Sequence, residues 1–281
     1  VTHFDLADNY GPSYGSAEET FGQIMKKSFR PYRDELFIAT KAGYDMWPGP
    51  YGNWGGRKHL MAAIDQSLQR MGLDYVDVFY THRYDPDTPL EETLQALVDI
   101  VRQGKALYVG LSRYPANKAA EAYRYLEARD VHCLLYQGRY NLFDRGPEEQ
   151  GILEQVRENG VGFIAFSPLA QGLLTSRYLH GVPEDSRMAQ GRFLKRETLT
   201  DAVLDKIRAL AEVAADRGQT LAEMSLAWVL HREEVTSVIV GASSVAQLED
   251  SLKALRKPDF TGQELERIDA ICRLPDGGQQ S

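Results

Sequence analysis

Residues 1–21 read VTHFDLADNYGPSYGSAEETF, and the acid at position 5 decides how they fold. The run "THFDLA" (2–7) is apolar enough for a strand, yet it carries Asp5, and Tyr10 follows five residues later. A carboxylate in a buried strand requires a partner, because taking it from water uncompensated is costly. Either Asp5 caps the turn at "DNYG", or it stands where a core strand ends and charged groups from neighbouring strands meet it. The remainder of the chain favours the second arrangement.

Six further runs read as strands: "LFIAT" (36–40), "VDVFYT" (76–81), "ALYVGLS" (106–112), "HCLLYQ" (132–137), "GFIAFS" (162–167) and "SVIVG" (237–241). Nearly all are apolar at consecutive positions, as strands covered on both faces should be. Amphipathic segments separate them. Leu60, Ile64, Leu68 and Met71 recur at helical spacing, as do Val203, Ile207, Leu210, Ala211 and Ala214, and these stripes are expected to face the core. Thr88, Pro89 and Glu91 predict one helix start, and Thr261 with Glu264 another. Residues 171–193 and the tail 275–281 carry no such pattern. Strand and helix alternate as βα units around a parallel sheet, with no GxGxxG after the first strand to suggest a doubly wound dinucleotide fold. The expectation is an α/β chain, a single (β/α)8 TIM barrel domain over 1–281 with seven strands visible.

With 281 residues, 43% hydrophobic, the chain can bury a large core, and its formal charge of −8 disfavours a phosphate-backbone-binding protein. A small molecule is therefore the expected partner, with neither nucleic acid nor membrane, and a homo-oligomer is left open. Cys133 and Cys272 imply no disulfide framework, and no targeting or membrane-spanning segment is evident, so a cytoplasmic home is the default. Neither H-E-x-x-H nor G-x-S-x-G occurs, and no metal is expected.

In such barrels chemistry gathers at the carboxyl ends of the strands. Asp5 and Tyr10 follow the first strand, Lys41 the second, His82 the third, Ser112 and Arg113 the fourth, Gln137 the fifth and Ser167 the sixth. A phenol is a poor proton donor at neutral pH. An ammonium ~4 Å away, at an effective dielectric near 20, contributes about 4 kcal/mol toward the phenolate. Lys41 would therefore make Tyr10 a better acid, Asp5 would keep Lys41 charged, and His82 would donate to a substrate oxygen. Each residue alone has an ordinary structural explanation: turn capping for Asp5, packing for Tyr10, a snorkelling chain for Lys41. Convergence on adjacent strand ends is what singles them out.

The runs "FDLADNYG", "FIATKAG", "VDVFYTHR", "VGLS", "YQGRYN", "FSPLAQGLL" and "VIVGASSVAQLEDSLKAL", in this order, resemble the aldo-keto reductase superfamily. Within it, "KAGYDMWPGPYG" and the segment that follows are similar to the branch of bacterial glyceraldehyde 3-phosphate reductases and potassium channel β subunits. The resemblance implies that Asp5, Tyr10, Lys41 and His82 are the catalytic tetrad, with Tyr10 protonating a carbonyl as hydride arrives from NADPH. It places Ser112, Arg113 and Gln137 beside the nicotinamide carboxamide, with Arg113 where the superfamily commonly has Asn. Phe166 would lie against the nicotinamide, and Ser167, Leu169, Gln171 and Gly172 along the pyrophosphate. Gly241, Ser243 and Gln247 would meet the 2′-phosphate, and Asp250 the adenine. Neither Lys nor Arg occupies the matching 2′-phosphate positions, so NADPH is implied by the resemblance and not by charge. Ser243 could equally cap the following helix. The family's N-terminal hairpin and first βα unit have no counterpart in the sequence, which implies either a longer gene product or a partner covering the open sheet edge.

The loop "YDMWPGPYGNWGG" (44–56) would supply Trp47, Tyr51 and Trp54 as an apolar substrate lid, while Arg57, Arg83 and Arg113 offer charge to a substrate phosphate. The expected function is NADPH-dependent reduction of small aldehydes, glyceraldehyde 3-phosphate or methylglyoxal among them. Two rivals are a non-catalytic NADPH-binding redox sensor and a Schiff-base lyase built on Lys41.

Overall fold

The structure, a computed structural model, describes residues 1–176 and 199–274. The irregular stretch expected at 171–193 therefore falls outside the described residues from 177 onward, as does the tail 275–281. The chain forms two compact units, one of Val1–Gly138 with Gln150–Phe163, the other of Arg139–Glu149 with Ile164–Ser281.

In the first unit β1 (His3–Asp5), β2 (Phe37–Ala42), β3 (Val76–Thr81), β4 (Ala106–Ser112) and β5 (Cys133–Arg139) alternate with α1 (Ser16–Ile24), α2 (Arg57–Met71), α3 (Leu90–Arg102) and α4 (Ala116–Glu127). The strands pair in parallel in chain order, with Asp5 opposite Ala39, Lys41 opposite Tyr80, Thr81 opposite Leu111 and Ser112 opposite Gln137. This α/β alternation is the one the apolar runs predict. Leu60, Ile64, Leu68 and Met71 are all buried, and α2 stops at Gly72 in the left-handed region (φ 65°).

The sheet of this unit is strongly curled. A flat sheet would hold β1 and β5 roughly 19 Å apart, four spacings of ~4.8 Å. The Gln137 amide nitrogen on β5 nevertheless donates to Asp5 Oδ1 on β1 at 2.9 Å. Gly110 permits the tight interior, because a Cβ there would stand 2.3 Å from the ring of fully buried Tyr80.

The chain then makes α5 (Gly146–Glu149), α6 (Ile152–Glu158) and β6 (Gly162–Phe166). The second unit holds α7 (Asp201–Asp216), α8 (Leu221–Leu230), β7 (Val235–Val238), α9 (Val245–Leu252) and α10 (Gly262–Cys272). Helix α8 is apolar nearly all round and buries Leu221, Met224, Leu226, Ala227, Trp228 and Val229.

Four local expectations need correction. Strand β7 spans Val235–Val238 instead of 237–241: Val235 already enters the core, Ile239 makes a last bond to the Ala165 carbonyl (2.8 Å), and the chain then leaves for α9. Thr88 and Glu91 do not cap α3. The Asp85 carboxylate takes the N–H groups of Asp87 (2.9 Å) and Thr88 (3.3 Å) into a turn, and Pro89 becomes the residue preceding the helix. In α7 it is Val213, not Ala211, that completes the buried stripe of Ile207, Leu210 and Ala214. Ser244, not Ser243, caps α9. The capping box of Thr261 and Glu264 forms as expected.

Candidate active site

After β1 the chain is pinned to β2 one bond at a time. The N–H groups of Leu6 and Asp8 donate to the carbonyls of Ala39 (2.8 Å) and Lys41 (2.9 Å), and Tyr10 N–H closes a turn on Ala7 (3.1 Å). Ala17 N–H, at the start of α1, holds the Tyr10 carbonyl (3.1 Å). These bonds bring the Tyr10 phenol back over the end of β2. There Lys41 is fully buried and uses all three of its donor directions, to Asp5 Oδ2 (2.7 Å), the Leu6 carbonyl (2.7 Å) and the Tyr10 hydroxyl (3.5 Å). Burial alone would push the Lys41 ammonium toward neutrality, but the facing Asp5 charge and the Tyr10 oxygen outweigh it and raise its pKa. Lys41 is a held cation.

His82 follows β3, and its N–H bonds the Ala42 carbonyl (2.8 Å). Its imidazole lies between two phenol rings, Tyr10 at 5.6 Å and Tyr44 at 4.7 Å between centroids, both edge-on. Burial, then the charges of Lys41, Arg113 and Arg83, pushes its pKa down to about 2. It is therefore a neutral ring with one N–H to donate. Gly43, between Lys41 and Tyr44, has φ +146° and stands so close that a Cβ would lie 3.3 Å from that of His82.

Ser112 is buried at the end of β4, and Arg113 N–H donates to the Gln137 carbonyl (3.3 Å). The Gln137 side-chain nitrogen donates to Asp5 Oδ1 (2.9 Å), which ties the end of β5 to the partner of Lys41. Of the loop aromatics, Trp54 stacks on Arg83 (3.5 Å) close to His82. Trp47 packs on His59 (4.9 Å) and Tyr51 under Lys58 (4.2 Å), both on α2. Arg57 pairs with Asp99 (2.5 Å) on the helix surface.

The residues expected to hold a cofactor in the second unit form a different kind of surface. Phe166 ends β6, and Ser167 (φ 54°), Ala170 (φ 47°) and Gln171 (φ 58°) all take the left-handed backbone region. The loop is closed by Gly172 N–H to the Leu169 carbonyl (2.8 Å) and Asn141 to the Ser167 carbonyl (3.0 Å). Gln171 Oε1 is buried without a hydrogen-bond partner, an acceptor that suits a ribose hydroxyl. Gly241, Ser243 and Gln247 are exposed ahead of and within α9. The Ser243 N–H (2.8 Å) and hydroxyl (3.0 Å) both donate to Gln247 Oε1, and Asp250 meets Lys253 (2.5 Å). The orphaned Gln171 acceptor fits a sugar hydroxyl of a nucleotide, whereas the donors at the start of α9 are already engaged by Gln247 and Ser244. The cavity of about 660 Å³ where β3 begins, lined by Gly22, Met25, Arg33, Arg70 and Tyr75, shares none of the candidate site residues.

Tyr44, Asp8 and Glu18 escape a reading of the sequence. Tyr44 is one aromatic among several in its loop, and only Gly43 before it marks a forced backbone. Asp8 and Glu18 are fully buried, with Glu18 bonded to Thr40 (2.5 Å) and Arg70 (2.7 Å).

A curled parallel sheet whose strand ends bring a buried ammonium, its carboxylate, a phenol and a neutral imidazole together has the composition of a carbonyl oxidoreductase. The chain belongs to the aldo/keto reductase family, whose model matches residues 1–273. It is 53% identical over 273 residues to the L-glyceraldehyde 3-phosphate reductase of Escherichia coli O157:H7, covering 96% of this chain and 79% of that protein, and 52% identical to the protein of that name in strain K12. A probable voltage-gated potassium channel subunit beta of Arabidopsis thaliana is 37% identical over 281 residues, covering 97% of this chain and 84% of that protein. The protein is thus an oxidoreductase of a family that works with a nicotinamide cofactor on small carbonyl compounds. No helix among the described residues is long and apolar enough to cross a membrane.

Proposed function

We propose that the protein reduces small aldehydes with NADPH, glyceraldehyde 3-phosphate first among them, on a single (β/α)8 barrel domain in the cytoplasm. The observation that carries this reading is the triple bonding of buried Lys41 to Asp5, Leu6 and Tyr10. When bound, the nicotinamide supplies the hydride to the carbonyl carbon. Tyr10 gives its phenolic proton to the carbonyl oxygen, and the Lys41 ammonium 3.5 Å away stabilises the phenolate left behind. Asp5 keeps Lys41 charged in its buried position. Neutral His82 donates its N–H to the same oxygen and fixes the direction of the C=O.

Ser112, Arg113 and Gln137 would orient the carboxamide, and Phe166 would stack beside the ring. Ser167, Leu169, Gln171 and Gly172 would follow the pyrophosphate, with Gly241, Ser243, Gln247 and Asp250 at the adenosine end. Trp47, Tyr51, Trp54 and Arg83 would bound the substrate side. An anionic substrate suits the field at His82, where three cationic side chains act together. A Schiff-base reaction at Lys41 is disfavoured, because its nucleophile would be the neutral amine and Asp5 opposes that form. A redox-sensing subunit is the second reading, supported by the 37% identity to the channel subunit.

The test is NADPH consumption, followed by absorbance, over glyceraldehyde 3-phosphate, methylglyoxal and related aldehydes in wild type and Tyr10→Phe. Turnover in the wild type that is lost in a variant still binding NADPH supports the reductase. Binding without turnover in the wild type supports the sensing subunit.

A further inference from the structure

Arg83 directly follows His82, yet its side chain turns back onto the neighbouring strand end. His82 N–H holds the Ala42 carbonyl (2.8 Å) and Arg83 Nε holds the next one, that of Gly43 (2.9 Å), so a side chain adds one rung to the β2–β3 ladder. Arg83 Nη2 donates to Asn53 Oδ1 (2.9 Å), which also accepts the Trp54 N–H (2.7 Å), while Asn53 Nδ2 donates to Asp45 Oδ1 (2.5 Å). The guanidinium carbon lies 4.1 Å from the Tyr44 ring centroid and 3.5 Å from that of Trp54. Trp54 is held there in the left-handed backbone region (φ 69°), which a non-glycine residue keeps only where its surroundings enforce it. Tyr44 in turn stands edge-on against the His82 imidazole at 4.7 Å. Elsewhere the loop is tied at its base, by Gly55 N–H to Asp85 Oδ2 (2.9 Å) and the Thr93 hydroxyl to the Gly55 carbonyl (2.8 Å). These bonds shape the loop without reaching Tyr44.

We propose that Arg83 is a positioning residue for the reduction: through Tyr44 it fixes the direction of the His82 imidazole, and through Asn53 and Trp54 it fixes the loop that faces the substrate. This rests on the reductase reading above and takes Arg83 out of direct substrate recognition, because the Nε and Nη2 donors of its fork are spent within the protein. A neutral imidazole has a single N–H to offer, so its use depends on where the ring points. A guanidinium suits this task, since its planar fork reaches two acceptors while its face stays against an aromatic ring.

The test measures kcat and KM at saturating NADPH for glyceraldehyde 3-phosphate and for methylglyoxal, which carries no charge, with the melting temperature of each variant. Arg83→Met keeps the stem and removes the fork, and Arg83→Lys keeps the charge alone. Arg83→Met is expected to lower kcat on both aldehydes about 10- to 100-fold, the weight of a group displaced by ~1 Å at the reacting centre. KM for either aldehyde and the NADPH dissociation constant should change less than about threefold. Arg83→Lys should lose nearly as much, because an ammonium cannot hold both acceptors in one plane. The double variant Arg83→Met with Tyr44→Leu should lose less than the product of the two single losses, as residues acting through one another do. Should Arg83→Met fail to fold, Asn53→Ala, which removes one acceptor of the fork, carries the same test with a smaller loss confined to kcat. A loss confined to the phosphorylated aldehyde and to KM overturns the proposal and makes Arg83 a substrate ligand. Full activity in Arg83→Lys overturns it in favour of charge alone, and wild-type kcat in Arg83→Met overturns it outright. A wild-type chain that binds NADPH and reduces neither aldehyde overturns the reductase reading beneath it as well.

Discussion

The strand ends of the first unit and the Gly241–Asp250 segment of the second are both candidate binding surfaces, built on opposite principles. At the strand ends, Lys41 and His82 are buried, their neighbours are fixed by backbone bonds, and Lys41, Asp5 and Gln137 form a connected hydrogen-bonded set. In the segment, Gly241 through Gln247 are exposed, and Ser243 and Gln247 satisfy each other. The difference follows from what each must do. A reacting group needs a fixed, desolvated geometry before substrate arrives, whereas a phosphate needs only donors that can be turned toward it at small cost. Substitutions should therefore act steeply in the first region and shallowly in the second.

The largest contrast is expected from Tyr10→Phe, which removes one hydroxyl held by Lys41 at 3.5 Å. Loss of the general acid should lower kcat about 10²- to 10⁴-fold with little change in melting temperature or NADPH affinity. Retained activity would remove Tyr10 from the reaction. Asp5→Asn is the more damaging change to the fold. It leaves a buried ammonium without its countercharge and should cost about 3–5 kcal/mol of stability, read as a lower urea midpoint. If Asp5→Asn melts like the wild type, Lys41 is not held as a cation by that carboxylate.

A pH series sharpens the comparison further. Burial, then Glu18, pushes the Asp8 carboxyl from 3.8 up to about 8. Between these values the folded chain holds a proton that the unfolded chain has released. Stability contributed by this group is thus fully present below pH 4 and is lost as pH rises toward 8. Asp8→Asn should abolish that slope and be more stable than wild type at pH 8 by on the order of a few kcal/mol, with the two converging near pH 4. His82 behaves oppositely. With its folded value down at about 2, it stays neutral through the working range, so kcat/KM should show no inflection near 6.5 from this residue. Such an inflection, absent from His82→Gln, would mean that the ring titrates.

How much of this the sequence carries follows the same division. Strands β2 to β5 are legible because burial on both faces leaves continuous apolar runs, and Asp5, Lys41 and His82 stand out as polar residues where those runs end. Tyr44 does not, because its importance comes from contacts with Arg83 and Arg113, 39 and 69 positions away. Asp8 and Glu18 look like surface acids until α1 packs against α2 and encloses Glu18 with Arg70. The start of α3 was obscured because Asp85, three residues before Thr88, takes the N–H that capping logic leaves open. Local spacing predicts elements, while pairings across long separations appear only once the sheet has curled.

The smallest effect, and the one that tests the exposed half of the comparison, is Gln247→Ala. Its carbonyl oxygen holds both donors of Ser243, and its own N–H is capped by Ser244 (3.2 Å). Removing the side chain frees the Ser243 N–H and hydroxyl but loses their orientation, and an exposed hydrogen bond is worth about 0.5–1.5 kcal/mol. The dissociation constant for NADPH should therefore rise only about two- to tenfold, with kcat unchanged. The informative quantity is the ratio to NADH. If NADPH weakens and NADH does not, Gln247 and Ser243 read the 2′-phosphate despite the absence of a lysine or arginine at the matching positions. If both weaken equally, the segment supports the shape of α9 and preference between the cofactors must come from another part of the chain.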